Sequence, residues 1–158
     1  GGTVVPMMMQ WNKKIKPQTN YTQMVSLLDI VPTILDAVES PSLSNKYDGV
    51  SLLPFLDSNI DKPHNELFWK TGYVKSIISE NFKLHINEKE NFKFLINLTD
   101  DPGERNNLIS KYPEKAEELT LKWNNWNKGL QQPKWDSNAD VKIPVDNSEN
   151  SKRYYFPW

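Results

Sequence analysis

Cysteine is absent from this chain of 158 residues, and arginine and glycine are scarce. Without cysteine, disulfide scaffolds, thiolate metal sites and cysteine nucleophiles are excluded. Of the 19 basic residues only Arg105 and Arg153 are arginines, so bidentate clamps for phosphate or sulfate are nearly absent. The six glycines are scattered along the chain and form no glycine-rich phosphate loop.

The charge balance and the lengths of the apolar runs exclude two further classes. The net charge of −1 gives no overall field that would attract nucleic acid or an anionic membrane, so we expect no nucleic-acid partner. No apolar run approaches the roughly 18–20 residues that a membrane span requires, and no signal peptide is recognisable. Because the chain begins with Gly1 rather than methionine, we interpret it as an excerpt of a longer protein.

Residues 1–60 predict a strand, a loop, a helix and a turn. The apolar run Val4–Trp11 is typical of a strand buried on both faces, and the lysine-rich segment Asn12–Gln23 indicates a surface loop. Apolar residues then recur at helical spacing, which predicts a helix that begins near Asp29 with this residue as N-cap. Asp48-Gly49 predicts a turn, followed by one helical turn capped by Ser51.

Residues 61–130 predict a four-stranded antiparallel sheet that is packed by a long helix. The short separators between the strand-like segments favour a meander, and alternation within the third segment predicts one core face. The four segments are Glu66–Lys70, Tyr73–Ser79, Phe82–Asn87 and Phe92–Leu98. Apolar residues spaced by three and four predict the helix from Pro113. The polar tail 131–158 is predicted to be irregular, and the fold class is α+β.

The residues alone do not predict a self-sufficient active site. A nucleophile with its base would require a serine, a histidine and a carboxylate in contact, but sequence spacing does not join His64 or His85 to any serine. The carboxylates of Asp100, Asp101 and Glu104 flank Pro102-Gly103, which is typical of a solvated turn rather than a metal site. On these grounds both histidines are interpreted as surface or rim residues.

Six segments, in the same order along the chain, resemble segments of the type I sulfatases. The first resembles the Glu-Gly-Gly-x-Arg-Val-Pro…Trp-Pro-Gly-x-Ile segment of that family, although Val4 replaces its arginine and its glutamate is absent. Two others are similar to its Val-Ser-x-x-Asp-Ile-x-Pro-Thr helix start and its Leu-x-x-Asp-Pro-x-Glu-x-x-Asn-Leu turn. The six segments are Gly1–Pro17, Val25–Leu35, Asp48–Pro54, Glu66–Trp69, Asn81–Leu84 and Leu98–Leu108.

The resemblance divides the chain into three parts. It implies that residues 1–60 are the end of the large α/β sulfatase domain, to which the opening strand and the helix from Asp29 would belong. Residues 61–130 resemble the smaller C-terminal subdomain, and 131–158 would form the tail. The large N-terminal sulfatase domain is the partner that this division implies.

The resemblance also implies which chemical groups lie outside this sequence. The family uses a formylglycine made from a Cys/Ser-x-Pro-x-Arg motif, which the chain lacks, and a calcium ion. Formylglycine and calcium are therefore expected in the missing N-terminal part, with no catalytic residue, metal ligand or cofactor held by this chain. His85 occupies a position where some family members place a histidine near the substrate. His64 and Lys70 flank a strand that borders the pocket in the family, so all three are predicted rim residues.

Two functional hypotheses follow. In the first, the chain is the C-terminal part of a sulfatase that hydrolyses sulfate esters, such as those of sulfated carbohydrates, and is inactive alone. By resemblance to the family, the whole enzyme would be periplasmic or secreted, with any signal peptide upstream of Gly1. In the second, the chain is a stand-alone, non-catalytic binding or structural module derived from a sulfatase.

Overall fold

The computed structural model describes residues 3, 5–40, 47–56, 62–131, 134, 140–144 and 153–157. The chain divides into two compact units, whose main spans are Gly2–Asn65 and Glu66–Trp158. We call the first the helical unit and the second the sheet unit, and describe each separately.

The helical unit is built around one short helix. A 3₁₀ turn at Leu27–Asp29 leads into helix α1, Ile30–Ala37, and a second 3₁₀ turn covers Leu53–Phe55. The predicted helix start is confirmed, and Asp29 is the N-cap residue of α1, but its side chain does not cap this helix. Ser26 forms a capping box with Asp29: its hydroxyl accepts from the Leu28 amide, and its own N–H donates to the Asp29 carboxylate at 2.7 Å.

The strand predicted at the start of the chain is not formed. Residues 5–11 are irregular, and the side chains of Val5 and Met8 are largely exposed. A strand exists only where its backbone pairs with a neighbour, and the described part of the helical unit contains no strand to pair with. The apolar run indicates a need for burial, but it does not supply the pairing partner.

The sheet unit contains the predicted antiparallel meander and helix. The strands are β1 (Glu66–Thr71), β2 (Val74–Ser79), β3 (Phe82–Asn87) and β4 (Phe92–Asn97), in the order β1-β2-β3-β4. Helix α2 spans Pro113–Asn127, with Pro113 in its first turn. The tight turns between strands use left-handed backbone at Gly72, Glu80 and Asn91. The α+β fold class is confirmed.

Helix α2 covers one face of the sheet. Cross-strand neighbours Ile77, Leu84 and Leu95 are fully buried and pack against three α2 residues, Ala116, Leu119 and Trp123. The indole N–H of Trp123 donates to the carbonyl oxygen of Trp69 at 3.1 Å. Trp126 stacks on Phe68 with 4.9 Å between ring centroids. The tryptophans at helical spacing are therefore core residues, as expected from their positions.

The opposite face of the sheet is also mostly buried. On this face Ser76, Lys83, Phe94 and Ile96 have less than a tenth of their surface exposed. Alternation along β3 predicts a face that is either wet or covered, and the burial shows that it is covered. A lysine buried on such a face requires a charge partner.

The tail contains regular structure that was not predicted. Strands β5 (Asp140–Pro144) and β6 (Arg153–Pro157) pair antiparallel, with Val141 opposite Phe156 and Ile143 opposite Tyr154. The prediction of an irregular tail is therefore wrong for these residues. The two short stretches are rich in β-branched and aromatic residues, but their polar surroundings conceal this signal in the composition of the whole tail.

Candidate functional site

Two of the three predicted rim residues, Lys70 and His85, lie in the sheet unit, on opposite faces of the sheet. The third, His64, belongs to the helical unit. Lys70 lies on the face covered by α2, and its ammonium donates to the Asn127 side chain at 2.9 Å. His85 lies on the opposite face, where it pairs across the sheet with Ser76 and Phe94. Lys70 and His85 therefore cannot line the same surface of the sheet.

His64 is bound to a buried carboxylate. Its Nε2 atom lies 2.8 Å and 2.9 Å from the two side-chain oxygens of Asp29, which has no exposed surface. The same carboxylate accepts the N–H groups of Ser26 at 2.7 Å and Val50 at 3.0 Å. Asp29 thus connects the start of α1, the Asp48-Gly49 turn and the end of the helical unit. We call Asp29, His64, Ser26 and Val50 the Asp29 cluster.

Gly49 allows the turn to approach the helix start closely. A Cβ atom at this position would lie 2.1 Å from the backbone oxygen of Leu28, far inside van der Waals contact. Thr33 adds a second connection, because its hydroxyl donates to the Asp29 carbonyl at 2.6 Å and accepts from the Leu52 N–H at 2.9 Å. The Leu53 N–H donates to the Ser51 hydroxyl at 3.3 Å, but the N-cap of this 3₁₀ turn is Leu52, so the prediction of Ser51 as the cap is wrong by one residue.

The two sulfatase-like motifs of the helical unit therefore hold each other in place. Asp29 and Thr33 come from the first motif, and Gly49 and Val50 come from the second. In these contacts the Asp29 carboxylate accepts two backbone N–H groups and lies within hydrogen-bond distance of the His64 imidazole. The sequence alone predicts Asp29 only as an N-cap. The Ser-x-x-Asp spacing of a capping box was the available signal for its real role.

A second polar cluster lies on the sheet face opposite α2. The Nδ1 atom of His85 is 2.7 Å from the Ser76 hydroxyl, and two residues away along β3 the buried Lys83 is paired with Glu104. The Lys83 ammonium donates to both Glu104 oxygens, at 2.7 Å and 2.9 Å. We call Ser76, Lys83, His85 and Glu104 the His85 cluster.

The His85 cluster contains a neutral histidine and a neutralised ion pair. Burial, assisted by the nearby Lys83 charge, lowers the pKa of His85 to about 4, so the imidazole is uncharged at neutral pH. Burial alone would raise the pKa of Glu104, but the hydrogen bonds and positive charges around it, those of Lys83 among them, together outweigh burial, and the pKa is lowered. The cluster can therefore offer a hydrogen-bonding imidazole, but no free charge.

The acidic turn Asp100–Glu104 has a structural explanation. The Asp101 carboxylate accepts the backbone N–H groups of Arg105 and Asn106, each at 2.7 Å, and Glu104 adopts left-handed backbone as it reaches Lys83. Sequence spacing could not reveal the ion pair, because its partners are 21 residues apart. Glu104 is a member of the cluster that the sequence analysis missed.

The described residues do not fit a calcium site. Among them, no three His, Asp or Glu side chains converge in a way that could hold a metal ion. Helices α1 and α2, likewise, are too short or too polar to cross a bilayer in the part of the chain that is described.

Comparisons with known proteins match most of this chain to sulfatases. A family model described as "N-sulphoglucosamine sulphohydrolase, C-terminal" matches residues 2–129. The uncharacterized sulfatase YdeN of Escherichia coli (strain K12) is 41% identical over 103 residues, which are 64% of this chain and 18% of the relative. The chain thus spans less than a fifth of that relative's length.

Two solved structures share the fold. The crystal structure of Ps i-CgsB has a TM-score of 0.67 at 20% identity, covering 80% of this chain and 29% of its own. The structure of BT1596, a 2-O GAG sulfatase, has a TM-score of 0.54 at 26% identity, covering 64% of this chain and 24% of its own. With the family model matched over most of its length, the chain belongs to the N-sulphoglucosamine sulphohydrolase C-terminal family of sulfatase domains.

Proposed function

We propose that this chain is the C-terminal portion of a sulfatase that hydrolyses sulfate esters of carbohydrates. Its role is to complete the fold and to form part of the substrate-pocket rim, while the catalytic core lies in a preceding N-terminal domain. The short span of the chain relative to YdeN leaves room for such a domain in the whole protein. The nucleophile motif Cys/Ser-x-Pro-x-Arg does not occur in these 158 residues.

The exposed apolar surface around α1 carries this proposal. Five large apolar side chains at and along this helix are 47% to 68% exposed, and these are Leu27, Leu28, Val31, Ile34 and Val38. A contiguous apolar patch of this kind indicates a protein partner. The Asp29 cluster fixes the helix start, so the surface is presented in one geometry. The N-terminal sulfatase domain is the partner that we propose for it.

The chemistry of the whole enzyme would come from that domain. There, formylglycine would supply the nucleophile and calcium would neutralise the sulfate charge. This chain would contribute His85 to the pocket rim, with a neutral imidazole that Ser76 holds through its Nδ1 atom. Lys70 and His64 would act indirectly, since one fixes α2 and the other fixes the start of α1.

The substrate class and the compartment belong to the same proposal. BT1596 is described as a 2-O GAG sulfatase, and its similarity to this chain favours a sulfated carbohydrate as substrate. A polymeric substrate of this type is encountered outside the cytoplasm, so the enzyme would be periplasmic or secreted.

The test compares this chain with the longer product of its gene. Both are assayed with 4-methylumbelliferyl sulfate and with a sulfated disaccharide. We expect no turnover by the chain alone, turnover by the longer product, and loss of that turnover when the Cys or Ser of its Cys/Ser-x-Pro-x-Arg motif is replaced by Ala. Turnover by the chain alone overturns the proposal. A gene that lacks the upstream motif also overturns it and favours a stand-alone, non-catalytic module.

A further inference from the structure

A single loop of the helical unit lines a half-open cavity. Residues Met9–Thr19 line a space of about 740 Å³, which is within the range of small-molecule sites in proteins. We call these residues the basic loop. All the lining residues are consecutive, so the cavity is a property of the loop itself.

The basic loop carries positive charge that the rest of the described chain does not neutralise. Lys13, Lys14 and Lys16 are all exposed, and none of them forms an ion pair with any residue that the structure describes. The sequence contains no aspartate or glutamate before Asp29. Three lysines that form no ion pair among the described residues therefore line one cavity, although the chain as a whole is almost neutral.

An aromatic ring lies beside these charges. Trp11 is half-buried in the loop, and the Lys14 ammonium lies 5.9 Å from its ring centroid. The Trp11 carbonyl oxygen accepts the N–H groups of Lys14 and Ile15, at 3.1 Å and 3.0 Å, which holds the ring and the lysines together. An indole face next to ammonium groups is matched to a ligand with both an apolar face and anionic substituents.

The loop is held in shape by its own hydrogen bonds. The Thr19 hydroxyl donates to the Lys16 carbonyl at 2.9 Å, and the Gln10 amide donates to Asn12 at 3.2 Å. Lys13 and Gln18 both adopt left-handed backbone, which non-glycine residues rarely occupy without support. A loop ordered in this way loses less conformational entropy when it binds a ligand.

From these observations we infer that the basic loop is a binding site for sulfated saccharides, with the lysines on sulfate groups and Trp11 on a sugar ring. The identity of the ligand rests on the proposed function, whereas the site rests on the loop alone. Lysine can hold a sulfate group as a compact point charge, without the bidentate geometry that arginine would provide. The loop would hold sulfate groups of a chain other than the one that is hydrolysed.

The test measures binding of the 158-residue chain to a heparin-derived hexasaccharide by isothermal titration calorimetry. The loop variant Lys13→Ser/Lys14→Ser/Lys16→Ser is compared with Lys93→Ser/Lys111→Ser/Lys128→Ser, which removes the same charge from exposed lysines of the sheet unit. We expect Kd to rise at least about tenfold in the loop variant, as for the loss of three modest ion pairs, and less than about twofold in the control. Trp11→Ala is expected to weaken binding about fivefold. Circular dichroism establishes that each variant is folded.

Three results overturn the inference. One is equal weakening by both triple variants, which indicates bulk charge alone. Another is equal affinity for the chemically desulfated hexasaccharide. The third is equal affinity for a single-stranded DNA 12-mer, which indicates a general polyanion surface. Binding requires no turnover, so the two proposals can fail separately. If the chain binds through the loop but its longer product lacks sulfatase activity, this inference stands and the proposed function is overturned. If the longer product is active but the loop does not bind the hexasaccharide, only this inference is overturned.

Discussion

His64 Nε2 lies 2.8 Å from Asp29 Oδ2 in a carboxylate that has no exposed surface, so this pair connects the end of the helical unit to the start of α1. A buried carboxylate is stable only when donors surround it, and Asp29 receives two backbone N–H groups in addition to the imidazole. The pair gives a structural role to a motif that resembles a sulfatase segment. Its function is to fix the surface around α1.

Asp29→Asn should destabilise the helical unit. The substitution removes the negative charge and leaves donors facing an amide, at an expected cost of about 2–4 kcal/mol. Hydrogen exchange of the Val50 and Ser26 amides measures this locally, because both donate to the carboxylate. The matched control is Asp48→Asn, an exposed residue in the adjoining turn. If both variants exchange alike, Asp29 does not organise the unit.

Gly49→Ala should be much more disruptive than Gly129→Ala. A methyl group at Gly49 would meet the Leu28 carbonyl oxygen at 2.1 Å, so the turn must move away from the helix. At Gly129 a Cβ atom would meet the Trp126 carbonyl oxygen at 3.7 Å, an ordinary contact.

We expect a loss of about 3 kcal/mol at Gly49 and less than about 0.5 kcal/mol at Gly129. Urea denaturation measures the free energy of unfolding of both variants. Hydrogen exchange of the Leu52 amide, which donates to Thr33, measures the local effect beside the turn. Similar stability of the two alanine variants would contradict the close approach at Gly49.

Local patterns in the sequence predicted most of the sheet unit. The strand boundaries of β3 and the start of α2 at Pro113 agree with the prediction because alternation, short turns and an amphipathic helix all operate within a few residues. The pairing of Lys83 with Glu104 could not be predicted, since it depends on how a turn folds back over β3. The strand predicted at the start of the chain is not formed. Its apolar run is a local signal, but a strand also needs a neighbouring strand with which to pair. The rim roles of His64, Lys70 and His85 stay predictions.

Glu104→Gln should cost more stability than a comparable change on the surface. Lys83 is almost completely buried, and the substitution removes the counter-charge that Glu104 provides to its ammonium, at an expected cost of about 3–5 kcal/mol. The control is Glu80→Gln, which removes an exposed partner of Lys115 and should cost less than about 1 kcal/mol. Thermal denaturation measures both.

A double variant distinguishes the effect of an unpaired charge from the effect of lost side-chain packing. Lys83→Met/Glu104→Leu replaces the pair by apolar side chains and should recover most of the stability lost in Glu104→Gln. If the double variant is as unstable as the single one, the loss does not come from an unpaired buried charge.

His85 should make the stability of the sheet unit fall between pH 6.5 and pH 4. Its pKa is lowered to about 4 in the folded chain from 6.5 in the unfolded chain, so in this interval the unfolded chain binds the additional proton. Stability is therefore complete above pH 6.5 and declines as the pH falls, by at most about 3 kcal/mol.

The measurement is the urea midpoint from pH 4 to pH 7 for the parent chain and for His85→Gln. Gln retains a hydrogen-bonding side chain but does not titrate in this range, so its pH dependence should be shallower. An NMR titration assigns the pKa directly. A His85 that titrates near 6.5 in the folded chain would show that its ring is solvated.

The apolar surface around α1 should be detectable in the chain and should disappear in the whole enzyme. Val31 and Ile34 are about half exposed, and nothing in the described part of the helical unit covers them. We expect the chain to bind the dye ANS, and Val31→Gln/Ile34→Gln to reduce the fluorescence at least about twofold, because the patch is interrupted by polar groups. Leu121→Gln on α2 removes a single exposed apolar residue and should leave the signal almost unchanged.

In the longer protein Val31→Gln/Ile34→Gln should lower the melting temperature, since the N-terminal domain would then pack against amides that lack partners. A double variant that alters neither dye binding nor the melting temperature would remove α1 as the docking surface.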